Sequence, residues 1–269
     1  MLRVRLVLGY MGWCLRLGAR PWRYFQLNAP WFNEQRRLFS KLDMDTLIPD
    51  RWRLPQQPLA DMEMPDNWPL FLKPEWGQNA RGIHLARNLE EYQVLRKKLL
   101  VGSPVPYLAQ AAAPGRREFE VFWIRDARDA SRAAIFSVTE TLNRSDQDWP
   151  VNTILNPDTR HRSLSLSPEQ ERRLWQWMRQ LPSFRIARAG LRADSIEAML
   201  DGDFHIMEIN LFVPMPLTLL DEDLPLKQRH AFINRAMKAL ADLTRALPKD
   251  QPPKRVFWPM FFLNYRTGA

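Results

Sequence analysis

The chain has 269 residues, with 39 Lys and Arg against 30 Asp and Glu, and a single cysteine, Cys14. That length supports a full hydrophobic core in one large domain or two small ones, and 45% apolar with 26% charged residues is the balance of an ordinary globular protein. One cysteine excludes a disulfide framework and a Cys-based zinc site and fits a reducing, cytoplasmic setting, while the net charge of +9 suits nucleic acid, an acidic membrane surface, or phosphorylated and carboxylate small molecules.

The first residues, MLRVRLVLGYMGWCLRLGARPWR, are apolar but interrupted by Arg3, Arg5 and Arg16. No uninterrupted apolar run reaches the roughly 20 residues that span a bilayer, so no transmembrane segment is expected. The expected state is an amphipathic helix packed on the body, with contact to a membrane surface as the alternative. Residues 1–50 read as helical and rich in aromatics, and residues 51–69, with four prolines, read as a connector.

From Leu70 the pattern alternates between helix and strand. PLFLKP is a short apolar strand bounded by prolines, and EWGQNARG is a loop with a glycine near each end. Asn88 caps a helix, with Glu91 three residues on as in a capping box. VPYLAQ, REFEVFWIRD and RAAIFSVTETL are strands. Ser167-Pro168-Glu169-Gln170 starts a helix that continues to about Gln180. RAGLRADSIEAMLDGDFHIMEINLF reads as two strands joined at Asp201-Gly202. A last helix covers about 226–247, and the aromatic tail packs back on the body. This order predicts an α+β architecture with antiparallel sheets rather than a dinucleotide-binding fold.

Residues 192–210 carry the chemistry. Arg192 and Asp194 are two apart, as are Glu208 and Asn210, and residues two apart in a strand share a face. A three-residue turn with Gly202 in the left-handed position sets Asp194 opposite Glu208 and Arg192 opposite Asn210. Two carboxylates and an amide oxygen suit a hard cation such as Mg²⁺. On these residues alone a surface hairpin with an Arg–carboxylate set stays equally open.

FLKPEWGQNARGI, GRREFEVF and LRADSIEAMLDGDFHIMEIN together resemble the three nucleotide motifs of the ATP-grasp superfamily, in the family's order, and the last is similar to the metal hairpin of D-alanine–D-alanine ligase-like members. The resemblance implies an α+β ATP-grasp fold in which two α+β subdomains clasp the nucleotide. It divides the chain into a reduced N-terminal region (1–50), a lid subdomain with its glycine loop (51–110), a C-terminal subdomain with the metal hairpin (111–250) and a tail (251–269).

It further implies that Lys73 holds ATP phosphates under a lid running from Gly77 to Gly82, with Asn79 and Arg81 adding contacts. Gln110, Ala111 and Ala113 belong to an adenine-reading hinge, Glu118 accepts the ribose hydroxyls, and Lys41 is a looser match to a second nucleotide-binding lysine. Asp194, Glu208 and Asn210 hold one or two Mg²⁺, and Arg192 steadies the acyl phosphate and the adduct that follows. The implied activity is an ATP-dependent carboxylate–amine (or carboxylate–thiol) ligase acting on an amino acid or peptide. The alternative is a nucleotide-binding module that is inactive or needs a partner chain.

Three departures from the family pattern stand out. Only about seventy residues precede Lys73, so the acceptor site is unusual or is completed by a second subunit or partner. NLFVPMPLT replaces the glycine turn after Asn210. A further basic residue falls to Arg132, Arg144 or Arg160, which the sequence does not separate. Nucleic acid is not expected as a partner, because no strand interleaves aromatic and basic residues. Walker-type, dinucleotide and His-based zinc motifs are absent.

Overall fold

Residues 2–77, 80–145, 147, 149–153 and 156–267 are described by a computed structural model of the chain. The N-terminal part is helical as expected. Helix α1 (Leu2–Leu17) leads through two 3₁₀ turns (Pro21–Gln26 and Ala29–Trp31) to a five-residue helix, α2 (Lys41–Asp45), capped by Ser40. This region forms no separate sheet of its own among the described residues. It wraps the rest of the chain. Trp52 is fully buried, stacks on Phe204 at 4.8 Å, and donates from Nε1 to Gly202 O at 2.9 Å.

The connector contributes a short strand, β1 (Gln56–Pro58), that the scattered prolines conceal. With β2 (Leu70–Pro74), β3 (His84–Ala86) and β4 (Tyr107–Ala111) it forms a four-stranded antiparallel sheet in the order β1-β4-β2-β3. Helix α3 (Leu89–Gly102) covers this sheet through Tyr92 and Leu99. Asn88 caps it by accepting from Glu91 N, but Glu91 turns back to Arg87 N rather than to the cap residue.

The second sheet has the order β7-β6-β5-β8-β9, all antiparallel, from β5 (Arg117–Arg125), β6 (Ala133–Asn143), β7 (Thr159–Leu164), β8 (Ile186–Ala193) and β9 (His205–Asn210). Helices α4 (Pro168–Met178) and α5 (Ile196–Asp201) lie on the face that carries Phe119, Val121, Ala189 and Leu191. The other face is divided. At one end Phe122, Ile124, Ile135 and Ile186 are buried beneath α6 (Leu226–Arg245) and α1. At the other end the same face turns polar, because the alternation in β5 and β8 brings up Glu118, Glu120, Arg188 and Arg192.

The link between β8 and β9 differs from the expected three-residue turn. Ser195 accepts from Ala198 N and starts α5, so the segment winds into a helix before β9 begins. Gly202 does take the left-handed conformation (φ +84°), but as the C-cap of α5, where an added Cβ would lie 2.9 Å from the Trp177 ring. The final helix, α7 (Phe257–Thr267), packs back through Met260 and Leu263 while Trp258, Phe261 and Phe262 stay exposed.

Trp52 ties the N-terminal wrap to the second sheet, so Trp52→Ala is expected to cost about 3–5 kcal/mol of stability. Urea denaturation of the two proteins measures this directly.

Candidate functional site

Two lysines from separate elements converge on one strand. Lys73, on β2 and only 5% exposed, donates to Gln110 Oε1 at 2.9 Å and to Met207 O at 3.1 Å, which joins the first sheet to β9. Burial and the nearby Lys41 push its ammonium down to about 7. Lys41, at the start of α2, donates to Pro74 O at 3.1 Å, and burial lowers it as well. Both lysines line a small cavity with Asp45, Gln56 and Glu208. Burial raises Asp45 to about 6.

The polar end of the second sheet adjoins this cavity. Rows across the strands run Thr141–Glu118–Arg192 and Thr139–Glu120–Gly190–Glu208, and a further row pairs Arg188 with Asn210. Asn210 Nδ2 donates to Glu208 Oε1 at 2.8 Å, and its own carbonyl oxygen is an acceptor. Arg188 lies between two carboxylates, with Nε 3.2 Å from Glu120 Oε2 and a terminal nitrogen 4.0 Å from Glu208 Oε1.

Burial works to raise Glu208, but Lys41, Arg188 and the Asn210 hydrogen bond outweigh it and hold this carboxyl below its ordinary value. Glu120 is deeper, and burial raises it to about 8 despite Arg188. Glu118 is raised by burial and accepts from Asn152 Nδ2 at 2.8 Å. The Arg192 guanidinium lies over the Trp149 ring at 4.7 Å, and burial lowers its pKa. Trp149 and Asn152 both belong to the β6–β7 connection, which therefore folds over Glu118 and Arg192.

Several buried polar atoms on this face have no hydrogen-bond partner, namely Thr141 Oγ1, both ring nitrogens of His161 and Arg192 Nε, and Glu120 Oε2 and Arg188 Nε have only their ion pair with each other. Such atoms are scarce in native interiors, and here they offer partners to water, an ion or a polar ligand. Two carboxylates and an amide oxygen are the hard donors that Mg²⁺ takes, and the arginines and lysines beside them match phosphate oxygens. The donor set thus fits a magnesium-bound polyphosphate.

Several expectations are corrected by the geometry. Gly190, not Asp194, stands opposite Glu208, and Arg188, not Arg192, stands opposite Asn210. β8 ends at Ala193, and Asp194 lies exposed in the bend before α5. The cause is the helix that Ser195 starts, together with a register shift after Gly190. Among the described residues no group of three or more His, Cys, Asp and Glu forms a metal cluster. Glu120 takes the vacated space: a Cβ built on Gly190 would meet Glu120 Oε1 at 3.5 Å and Glu208 Cγ at 3.6 Å.

The adenine hinge is also altered. Gln110 and Ala111 are part of β4, and the amides of Ala111 and Ala112 donate to Pro55 O and Pro69 O, so neither is left for a base. Gln110 spends its side chain on Lys73 and on Met207 O, and Ala113 is buried.

The glycine loop is rooted firmly at its start. Glu75 is buried and accepts from Ser40 and Arg36, and Trp76 packs edge-on against Phe212 at 6.0 Å. Gly77 follows, Arg81 is exposed, and Gly82 has φ +73° with Tyr107 Oη where a Cβ would stand. Asn79 lies outside the described residues. Arg132 and Arg144 are exposed in loops, and strand alternation sends Arg160 to the face opposite His161. Arg188 is the additional basic group on the site. Glu120 was legible as the residue two beyond Glu118, whereas nothing in the sequence distinguished Arg188.

No family model and no curated protein matches the chain. Solved structures do. Over 76% of this chain it is similar to the D-Ala:D-Ser ligase of Enterococcus faecalis, at 13% identity and a TM-score of 0.51, covering 61% of that chain. Over 75% it is similar to the biotin carboxylase domain of the Hydrogenobacter thermophilus 2-oxoglutarate carboxylase, crystallised with MgADP and bicarbonate, at 16% identity and a TM-score of 0.50, covering 45% of that chain. The D-alanine–D-alanine ligase of Bacillus anthracis aligns over 77% of this chain and 67% of its own, at 14% identity and a TM-score of 0.49. The matched part is less than two thirds of the first two chains, and these likenesses bear on the fold alone. The fold is the ATP-grasp fold expected from the motifs.

Glu120 supplies a pH test of the site. Its folded pKa, about 8, lies above the ordinary value of 4.5. The folded state therefore holds an extra proton between those limits, and stability is fully present below about pH 4.5 and is lost as pH rises through 8. Glu120→Gln is expected to remove that loss, making the variant more stable than the parent at pH 8 by on the order of 2–4 kcal/mol, with the two nearly equal at pH 4. Thermal unfolding across that range reads the difference.

Proposed function

We propose that this chain is an ATP-dependent ligase that activates a carboxylate as an acyl phosphate for attack by an amine, with the nucleotide held between its two sheets, read as lid and C-terminal subdomains. The observation that carries this reading is the convergence of Lys41 and Lys73 on Glu208, beside a sheet face whose Thr141 hydroxyl, His161 ring and Arg192 Nε are buried without a hydrogen-bond partner. The MgADP and bicarbonate of the biotin carboxylase domain, which shares the fold, point the same way.

Lys41 and Lys73 bind phosphate oxygens, and Glu118 accepts the ribose hydroxyls. Glu120, Glu208 and Asn210 hold the Mg²⁺ in this reading, with Glu120 in the place expected of Asp194. Bound there, the ion neutralises charge on the triphosphate as the phosphoryl group moves. Arg188 and Arg192 face the same space and offset the negative charge that grows on the acyl phosphate and on the tetrahedral adduct. The β6–β7 connection, through Trp149 and Asn152, excludes water from that side. The acceptor amine is bound elsewhere on the chain or at a site that a second subunit or a partner completes.

A second reading has its own observation. Gly190 removes one carboxylate from the position opposite Glu208, and Arg188 already balances the two that remain. A chain so altered can bind nucleotide without turning it over. Phosphate release in the presence of amino acids and small peptides separates the two, and calorimetry that finds no nucleotide binding with Mg²⁺ present would end both.

Within the ligase reading, Glu208→Gln and Glu120→Gln are each expected to lower phosphate release by at least about tenfold at unchanged far-UV circular dichroism. Asp194→Ala stays within about twofold of the parent. The reverse order of effects would return the metal to Asp194.

Lys73 gives a further expectation. With its pKa near 7 it is mostly neutral at pH 8, and an arriving triphosphate favours the charged form. Lys73 is therefore expected to take up a proton when ATP binds at pH 8, measured as a difference between the parent and Lys73→Met in how the binding heat varies with the ionisation enthalpy of the buffer.

A further inference from the structure

Helix α1 is apolar on both sides. Tyr10 and Cys14 are buried against α6, with Leu6, Trp13 and Leu17 beside them, and a Cβ on Gly9 would meet Met237 at 3.3 Å. On the opposite side Val4, Leu8, Met11 and Leu15, at helical spacing i, i+4, i+7 and i+11, form a stripe with Val7 adjoining it. These five side chains are between 47% and 86% exposed. The stripe runs roughly 16 Å along the helix at 1.5 Å per residue. A helix that is apolar all round is normally covered all round.

The charges bordering the stripe say what covers it. By the 100° step of the helix, Arg5 and Arg16 lie along one edge and Arg3 along the other, and α1 contains no acidic residue. Arg5 reaches His230, Arg16 lies over Trp13 at 5.4 Å, and Lys238 lies near the same ring at 5.8 Å, so the seam with α6 extends the basic border. A second copy of the helix laid on this face brings arginines against arginines. Anionic lipid headgroups complement both edges while the stripe enters the acyl boundary.

A line of ring contacts runs from α1 to α7: Tyr10 to Tyr24 at 5.7 Å, Tyr24 to Phe25 at 5.3 Å, and Phe25 to Phe257 at 4.8 Å. It ends beside the exposed Trp258, Phe261 and Phe262, residue types that suit a membrane interface. Among the described residues no helix is long and apolar enough to cross a membrane, so the helix lies on the surface.

We infer that α1 docks this protein on an anionic membrane surface through Val4, Leu8, Met11 and Leu15, with Arg3, Arg5 and Arg16 meeting the headgroups. The inference does not depend on the nucleotide site. The full chain is expected to co-sediment with vesicles of equal phosphatidylglycerol and phosphatidylcholine, and weakly with phosphatidylcholine alone. The combined variant Val4→Gln, Leu8→Gln, Met11→Gln and Leu15→Gln, all at exposed positions, is expected to bind the anionic vesicles at least about tenfold more weakly at unchanged melting temperature. Three results overturn the inference. One is no binding to the anionic vesicles, and another is undiminished binding by the variant, which assigns attachment to net charge alone. The third is a dimer of the parent chain that the variant converts to a monomer, which makes the stripe a subunit interface.

Discussion

The architecture depends on a buried ammonium. Lys73 leaves β2, crosses the gap between the two sheets, and donates to the backbone of β9 at Met207 while Gln110 holds it from β4. A charge buried at this depth is costly unless it is hydrogen-bonded and has carboxylates nearby. Glu208 and Asp45 supply that company. The arrangement fixes the start of the glycine loop, because the loop begins directly after Pro74. It also leaves a lysine whose proton is loosely held.

The polar end of the second sheet follows the same logic on a larger scale. One face of β5 and β8 is apolar beneath α6 and charged beyond its end, with no change in the alternation of the strands. Burying Glu120, Arg188 and Arg192 together keeps each charge near an opposite one, but the orphaned atoms show that the groups are not fully satisfied by one another. Unsatisfied buried charge is unfavourable for folding and favourable for binding a charged ligand, the trade that functional sites commonly make. Gly190 sharpens it, because the missing side chain lets Glu120 approach Glu208 from the neighbouring strand.

The N-terminal region is spent on packing. Its aromatics fill the underside of the second sheet and its first helix lies on α6. Its remaining apolar stripe faces outward, bordered by arginines.

The sequence alone determined most of the longer local elements and their order, though not β1, β3, β7 or α5. Proline-bounded apolar runs, the caps at Asn88 and Ser167, and the alternation in REFEVFWIRD each rest on contacts within a few residues, and all of them appear where the pattern set them. It also singled out Lys73, Glu118, Glu208 and Asn210. What only the tertiary structure decided was register and company. A single serine, Ser195, turns an expected hairpin into strand–helix–strand, and with a period of two any change of register exchanges the residues that face each other. Asp194 lies exposed off this sheet face on that account, and Glu120 and Arg188 lie on it, since which side chains meet across strands is fixed by pairing between segments far apart in the chain and not by their spacing along it.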